Sequence, residues 1–101
     1  MNKAIFTINE IISIVMDAVD RLEAYEIYGL NDDGEFNISK PIINKLESLN
    51  ERDYEDFMSK ISYIAEEILP IKSGELNELN HCHEEITFIA KDILEMYIKN
   101  I

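Results

Sequence analysis

Glycine and proline are scarce in this sequence, at three and two residues among 101. A fold of many short strands needs turn residues at frequent intervals, so the scarcity excludes a β-sandwich or β-barrel. The single cysteine, Cys82, excludes an internal disulfide. Such a chain suits a reducing compartment, and the expected location is the cytoplasm. No uninterrupted apolar run exceeds three residues, so nothing in the sequence spans a bilayer. Lys3 followed by apolar residues imitates the start of a signal peptide. Glu10 interrupts that stretch, and no small-residue cleavage site follows.

Positive charge is also in short supply. Nine Lys and Arg stand against 21 Asp and Glu, a formal charge of −12. Solubility of a small domain asks for a magnitude of only about 2–8. Crowded like charges repel and lower the stability of the compact state. The surplus therefore points to a partner of opposite sign. Anionic lipid and nucleic acid are repelled, so neither membrane nor direct DNA or RNA binding is expected. A basic protein is the expected partner.

What is present is apolar and periodic. Hydrophobic residues make up 47% of the chain, enough for a packed core, so global disorder is not expected. Thr7-Ile8-Asn9-Glu10 reads as a capping box opening a first helix. Its apolar face is Ile8, Ile11, Ile12, Val15, Ala18, Val19, Leu22 and Tyr25, at steps of three and four, and Gly29 is placed to end it. A short second helix is predicted over Lys40 to Leu49, with Ser39 as its cap and Pro41 in its first turn. A third follows Asn50 with the stripe Tyr54, Phe57, Met58, Ile61, Ile64, Ala65, Ile68 and Leu69, and Pro70 is expected to stop it. Ser73 is expected to cap a fourth, with the stripe Leu76, Leu79, His83, Ile86, Ala90, Ile93 and Tyr97 widened by Cys82, Ile89 and Met96. The segment from Met1 to Phe6 is left as extended chain or as a further turn. No helix buries its stripe alone, and short connections favour antiparallel neighbours. The expectation is an all-α chain, a single domain over 1–101, built as a small antiparallel four-helix bundle with one short helix.

Chemistry-bearing motifs are few. Asn31-Asp32-Asp33-Gly34-Glu35 resembles part of a calcium loop. With Gly34 at the sixth position of an EF-hand, the first falls on Gly29 and the twelfth on Lys40, so two ligands fail. Asp-Gly there is ordinary turn chemistry. His81, Cys82 and His83 contain metal-binding types, but on a helix residues two apart diverge, and zinc helices use His at i and i+4. Cys82 reads instead as a small buried apolar residue. Adjacent Cys and His on one helix make a poor nucleophile pair, and no third orienting group follows. Acid pairs such as Glu66-Glu67 and Glu84-Glu85 read as solvated faces without the unequal environments acid–base work requires. No enzyme, cofactor or metal is expected.

The acids themselves carry more. Asp17, Asp20, Glu23 and Glu26 follow at steps of three on the first helix, with Arg21 as the cation among them. Tyr25, Tyr28, Asp32, Asp33, Glu35 and Phe36 continue the run. Residues 17–36 thus hold seven acids and one base, interleaved with aromatics. Carboxylates meet Lys and Arg, and tyrosine supplies contact area, so the mixture suits a surface against a basic protein. Tyr25 continues the apolar stripe and is expected in the core. The expected partner-binding set is Asp17, Asp20, Glu23, Glu26, Tyr28, Asp32, Asp33, Glu35 and Phe36. A second acidic group, Glu47, Glu51, Asp53, Glu55 and Asp56, lies around a helix start, where the backbone dipole stabilises acids.

In size, charge and helical pattern the chain resembles small acidic bacterial immunity proteins, of the colicin-nuclease or contact-dependent growth inhibition type. The paired-tyrosine motif of the colicin-nuclease group, Tyr-Tyr-Pro, has no counterpart here, so no residue roles carry over. The resemblance implies an inhibitor that neutralises a basic cognate toxin, a nuclease domain foremost, without catalysis. Two other readings stand beside it. One is a phage-encoded anti-CRISPR or anti-restriction protein that imitates DNA. The other is a helical adaptor, which exposed apolar residues off the stripes, such as Ile14, Ile27 and Leu94, would favour.

Overall fold

The computed structural model describes residues 5–26, 29, 36–73 and 79–98. Within them lie four α-helices: α1 (Ile8–Glu26), α2 (Lys40–Glu47), α3 (Glu51–Ser73) and α4 (Leu79–Ile93). A single 3-10 turn, Glu95–Tyr97, follows α4. The described residues contain no strand, only one isolated parallel bridge between Phe6 and Ile98. The chain is all-α.

Local chemistry sets several helix boundaries. The Glu10 N–H donates to Thr7 Oγ1 at 3.1 Å, and the Thr7 N–H donates to Glu10 Oε1 at 2.8 Å. This reciprocal pair satisfies two donors that the first turn would leave open. At α3 the Asp53 N–H donates to Asn50 Oδ1 at 2.8 Å, the side-chain cap expected of Asn50. Gly29 has φ +68°, the left-handed backbone that glycine adopts without strain.

Two boundaries differ from the sequence expectation, and a third falls where expected but is capped in another way. Ser39 occupies the cap position of α2 with extended backbone, but its side chain makes no capping bond. Its carbonyl accepts instead from the Ile42 and Ile43 N–H groups, each at 3.1 Å. Pro70 does not stop α3, which runs on to Ser73. Proline removes the donor to the carbonyl four residues back, that of Glu66. Pro70 and Glu66 are both exposed, so water can serve that carbonyl. Ser73 accordingly ends α3 rather than capping α4, whose first described residue is Leu79.

The core gathers α1, α3 and α4, each in contact with the other two. Ile11, Ile14, Val15 and Val19 of α1 meet Phe57, Ile61, Ile64, Ala65 and Ile68 of α3, and Ile86 and Ala90 of α4 join them. Ile42 and Leu46 bring α2 into the same cluster. Ile14 and Leu94, whose exposure would have favoured a helical adaptor, are fully buried, and Ile27 lies outside the described residues. The reason at Ile14 is that α1 has neighbours on several flanks. Ala18 and Leu22 border α3, Ile8 and Ile12 border α4, and Glu10 reaches α2. A helix so enclosed buries an arc wider than one stripe. At Leu94 the helix has ended and the chain turns inward.

Ile5 and Phe6 are extended, and their N–H groups donate to the Tyr97 carbonyl at 3.0 and 2.8 Å. The Phe6 ring stacks on Phe57 with centroids 4.9 Å apart, and Phe57 meets Tyr97 edge-on at 5.1 Å. The two ends of the described chain are therefore fastened over the first turns of α3. Tyr97 lies in the 3-10 turn and not on a continuous α4 stripe.

Candidate functional site

The acidic run at the end of α1 divides into buried and more exposed carboxylates. Asp17 belongs to the first group and is corrected here as a partner contact, being only 6% exposed. Its Oδ1 accepts the Asn37 backbone N–H at 3.1 Å. Its Oδ2 lies 3.4 Å from Arg21 Nε, one turn along the helix. The Arg21 guanidinium in turn sits 5.0 Å above the centre of the Phe36 ring. A buried carboxylate needs such partners, because burial without them costs more than the packing returns. Phe36 is half-buried beneath that cation, so its face toward Arg21 is occupied. Asp17, Arg21 and Phe36 form a clasp that fixes residues 36–37 onto α1.

Asp20 is exposed and Glu23 half-buried. Glu26 is the last residue of α1. Tyr25 is 62% exposed, contrary to its expected place in the core. One turn before it, α1 and α3 leave an open groove lined by Ala18, Arg21, Leu22, Ser62, Ala65 and Glu66. The helices do not close over the last turn of α1, which leaves the ring in solvent. Tyr28 and all of residues 31–35, Asp32, Asp33 and Glu35 among them, lie outside the described residues. The described part of the surface is therefore Asp20, Glu23 and Tyr25, beside the backbone of Glu26.

Two more carboxylates are tied down elsewhere. Glu10 receives Lys45 Nζ on both oxygens, at 2.8 and 2.9 Å, joining α1 to α2. Burial opposes its charged form, but the Lys45 ammonium and the Thr7 N–H outweigh this and hold its pKa below the usual value. Asp56 Oδ2 accepts from Lys60 Nζ at 2.8 Å and from the Tyr97 hydroxyl at 2.9 Å. Those two donors lower the Asp56 pKa. Burial, and then the Asp56 carboxylate, push the Tyr97 phenol up to about 12. These contacts are structural: one joins α1 to α2, and the other joins the turn after α4 to α3.

Among the described residues, no three His, Cys, Asp or Glu are gathered so as to hold a metal ion. None of the described helices is long and apolar enough to cross a membrane. The side chains of His81, Cys82 and His83 lie outside the description, so the segment contributes only its place in the first turns of α4.

One surface feature escaped the sequence reading. Phe88 of α4 is 76% exposed. It borders a groove between α1 and α4, with Ile8 and Ile12 opposite. The available signal was an aromatic residue lying off the Ile86, Ala90 and Ile93 stripe. No family model, curated protein or solved structure matches the chain.

Proposed function

We propose that this chain is an acidic inhibitor that binds and neutralises a basic cognate toxin, a nuclease domain foremost, by charge complementarity and without catalysis. The observation that carries the reading is the distribution of exposed charge. Among the described residues ten Asp and Glu are exposed, against three cations, Lys40, Arg52 and Lys91. Arg21, Lys45 and Lys60 are drawn into ion pairs with Asp17, Glu10 and Asp56. Cations that would dilute the negative surface are thereby partly spent on the fold.

The mechanism needs no chemistry from this chain. The negative field steers a basic partner into fast encounter. Carboxylates then take the places of substrate phosphates, or cover a surface the toxin requires. The contact set is Asp20, Glu23, Tyr25 and Glu26, continued by Tyr28, Asp32, Asp33 and Glu35. Asp17 and Phe36 support it from beneath. An exposed tyrosine among carboxylates is the kind of anchor that carries binding energy. The scaffold in this reading is one domain, an antiparallel four-helix bundle acting in the cytoplasm. Lys45 returning to Glu10 and Phe57 meeting both Phe6 and Tyr97 support that arrangement.

A DNA-imitating inhibitor is favoured by one further observation. Exposed acids also mark both ends of α3, Glu51 and Glu55 at one and Glu66 and Glu67 at the other. At the rise of an α-helix, Glu51 and Glu67 are about 24 Å apart, longer than a single patch requires.

The test is co-expression with the product of the adjacent reading frame. That product should arrest growth alone, and growth should return when this chain is supplied. A harmless neighbour, or arrest that this chain does not relieve, removes the immunity reading.

A further inference from the structure

The chain twice builds the same three-part arrangement of carboxylate, cation and aromatic ring. In α1 Asp17 pairs with Arg21 four residues on, and Arg21 lies over Phe36. In α3 Asp56 pairs with Lys60 four residues on, and Lys60 Nζ lies 5.7 Å from the centre of the Tyr97 ring. Each cation is held by a carboxylate at one side and a ring face at the other. The two attractions act together, since the ring's quadrupole and the carboxylate both favour positive charge.

On α4 two of the three parts recur. Glu84 and Phe88 are four residues apart on one helix face and line the same groove. Both are exposed, and among the described residues no cation is seated over Phe88. Lys91, one turn beyond Phe88, lines the same groove, which therefore carries one carboxylate and one ammonium. Glu85 and Asp92, three residues before Phe88 and four after it, stand on the side of the ring away from the groove and add negative charge to the surrounding helix face. Across the groove Ile8 and Ile12 of α1 are half-buried and offer an apolar wall.

We infer that the α1–α4 groove around Phe88 is a docking site for an arginine-bearing segment of a basic protein. The guanidinium lies on the Phe88 ring and pairs with Glu84, while an apolar neighbour of that arginine packs on Ile8 and Ile12. Arginine is favoured over lysine because its plane stacks on a ring while its edge donates to a carboxylate. A second copy of this chain is a poorer occupant, because each copy brings a charge of −12 to the contact. The site goes beyond the acidic surface at the end of α1 and does not require that the partner be a toxin.

The experiment is an amide NMR titration of the full chain with the peptide acetyl-Gly-Leu-Arg-Leu-Gly-amide. A matched peptide carries citrulline, which keeps the shape of arginine without its charge. The arginine peptide should shift the amides of Ile12, Thr87, Phe88 and Lys91, and the citrulline peptide should not. Phe88→Ala should weaken binding about fivefold, the scale of an exposed cation–ring contact. Glu84→Gln should weaken it in the same direction. Tyr63→Ala, which removes an exposed ring elsewhere, should leave it unchanged. Phe88 is exposed, and the amide spectrum of each variant reports its fold directly. Shifts confined to another face, equal binding of citrulline, or indifference to Phe88→Ala overturns the proposal. So does movement of the same amides with protein concentration alone, which assigns the groove to a second copy. Toxin rescue can fail while the peptide binds here, and the reverse also holds, so the two readings are tested separately.

Discussion

The Tyr97 hydroxyl donates to the Asp56 carboxylate across 2.9 Å, joining the turn after α4 to the first turns of α3. The same carboxylate oxygen accepts from Lys60. The Tyr97 carbonyl meanwhile receives the N–H groups of Ile5 and Phe6. One residue thus ties three separated parts of the chain together. Tyr97→Phe keeps the ring against Phe57 and removes the hydroxyl bond. The expected loss is about 1 kcal/mol, measured by urea denaturation near neutral pH. The phenol titrates at about 12 when folded against 10.0 when free. Its contribution is therefore complete below 10.0 and lost as pH rises through about 12. Tyr97→Phe should remove that alkaline step.

Asp17 was grouped with surface acids by its spacing, and its burial gives it the opposite role. Asp17→Ala removes one partner of a half-buried guanidinium and the acceptor of the Asn37 N–H. A destabilisation of about 2 kcal/mol is expected by thermal or chemical unfolding. Asp20→Ala, at an exposed position, should change stability by less than about 1 kcal/mol, the upper end for an exposed charged contact. Equal effects of the two would contradict the separation of clasp from surface.

Glu10 provides the acid-side counterpart. Its pKa is lowered on folding from the ordinary value of 4.5. The contribution is fully present above that value and lost as pH falls through the lower folded value. Glu10→Gln should flatten this acid limb when stability is followed from neutral pH downward. Protonation of the many exposed carboxylates acts the other way by relieving repulsion. The difference between wild type and variant, taken at each pH, isolates the Glu10 part. A difference that does not vary with pH would contradict the Lys45 and Thr7 assignments.

Much of the fold could be read before any coordinates. Thr7, Glu10 and Asn50 were legible because capping depends on residues within one turn. The α3 stripe from Phe57 to Ile68 was legible because one broad face of that helix is buried. Ile14 and Leu94 were not, since their burial depends on how many neighbours surround α1 and on where α4 ends. Pro70 misled because its exposed place near the helix end removes most of the usual cost. Within the acidic run, spacing alone could not separate exposed Asp20 from buried Asp17. That separation depends on Asn37, twenty residues away, returning to α1. Phe88 was passed over because a periodic reading searches for what is buried, and its interest lies in being exposed.

The central claim is that charge holds this chain to a basic partner. It is tested most directly by the dissociation constant for the product of the adjacent reading frame, measured across a salt series. Weakening of about tenfold or more is expected between about 0.05 and 0.5 M sodium chloride, as screening shortens the reach of the exposed carboxylates. Charge reversal by Asp20→Lys with Glu23→Lys should weaken the low-salt complex and reduce the salt dependence. A dissociation constant that stays constant across the series would contradict the account.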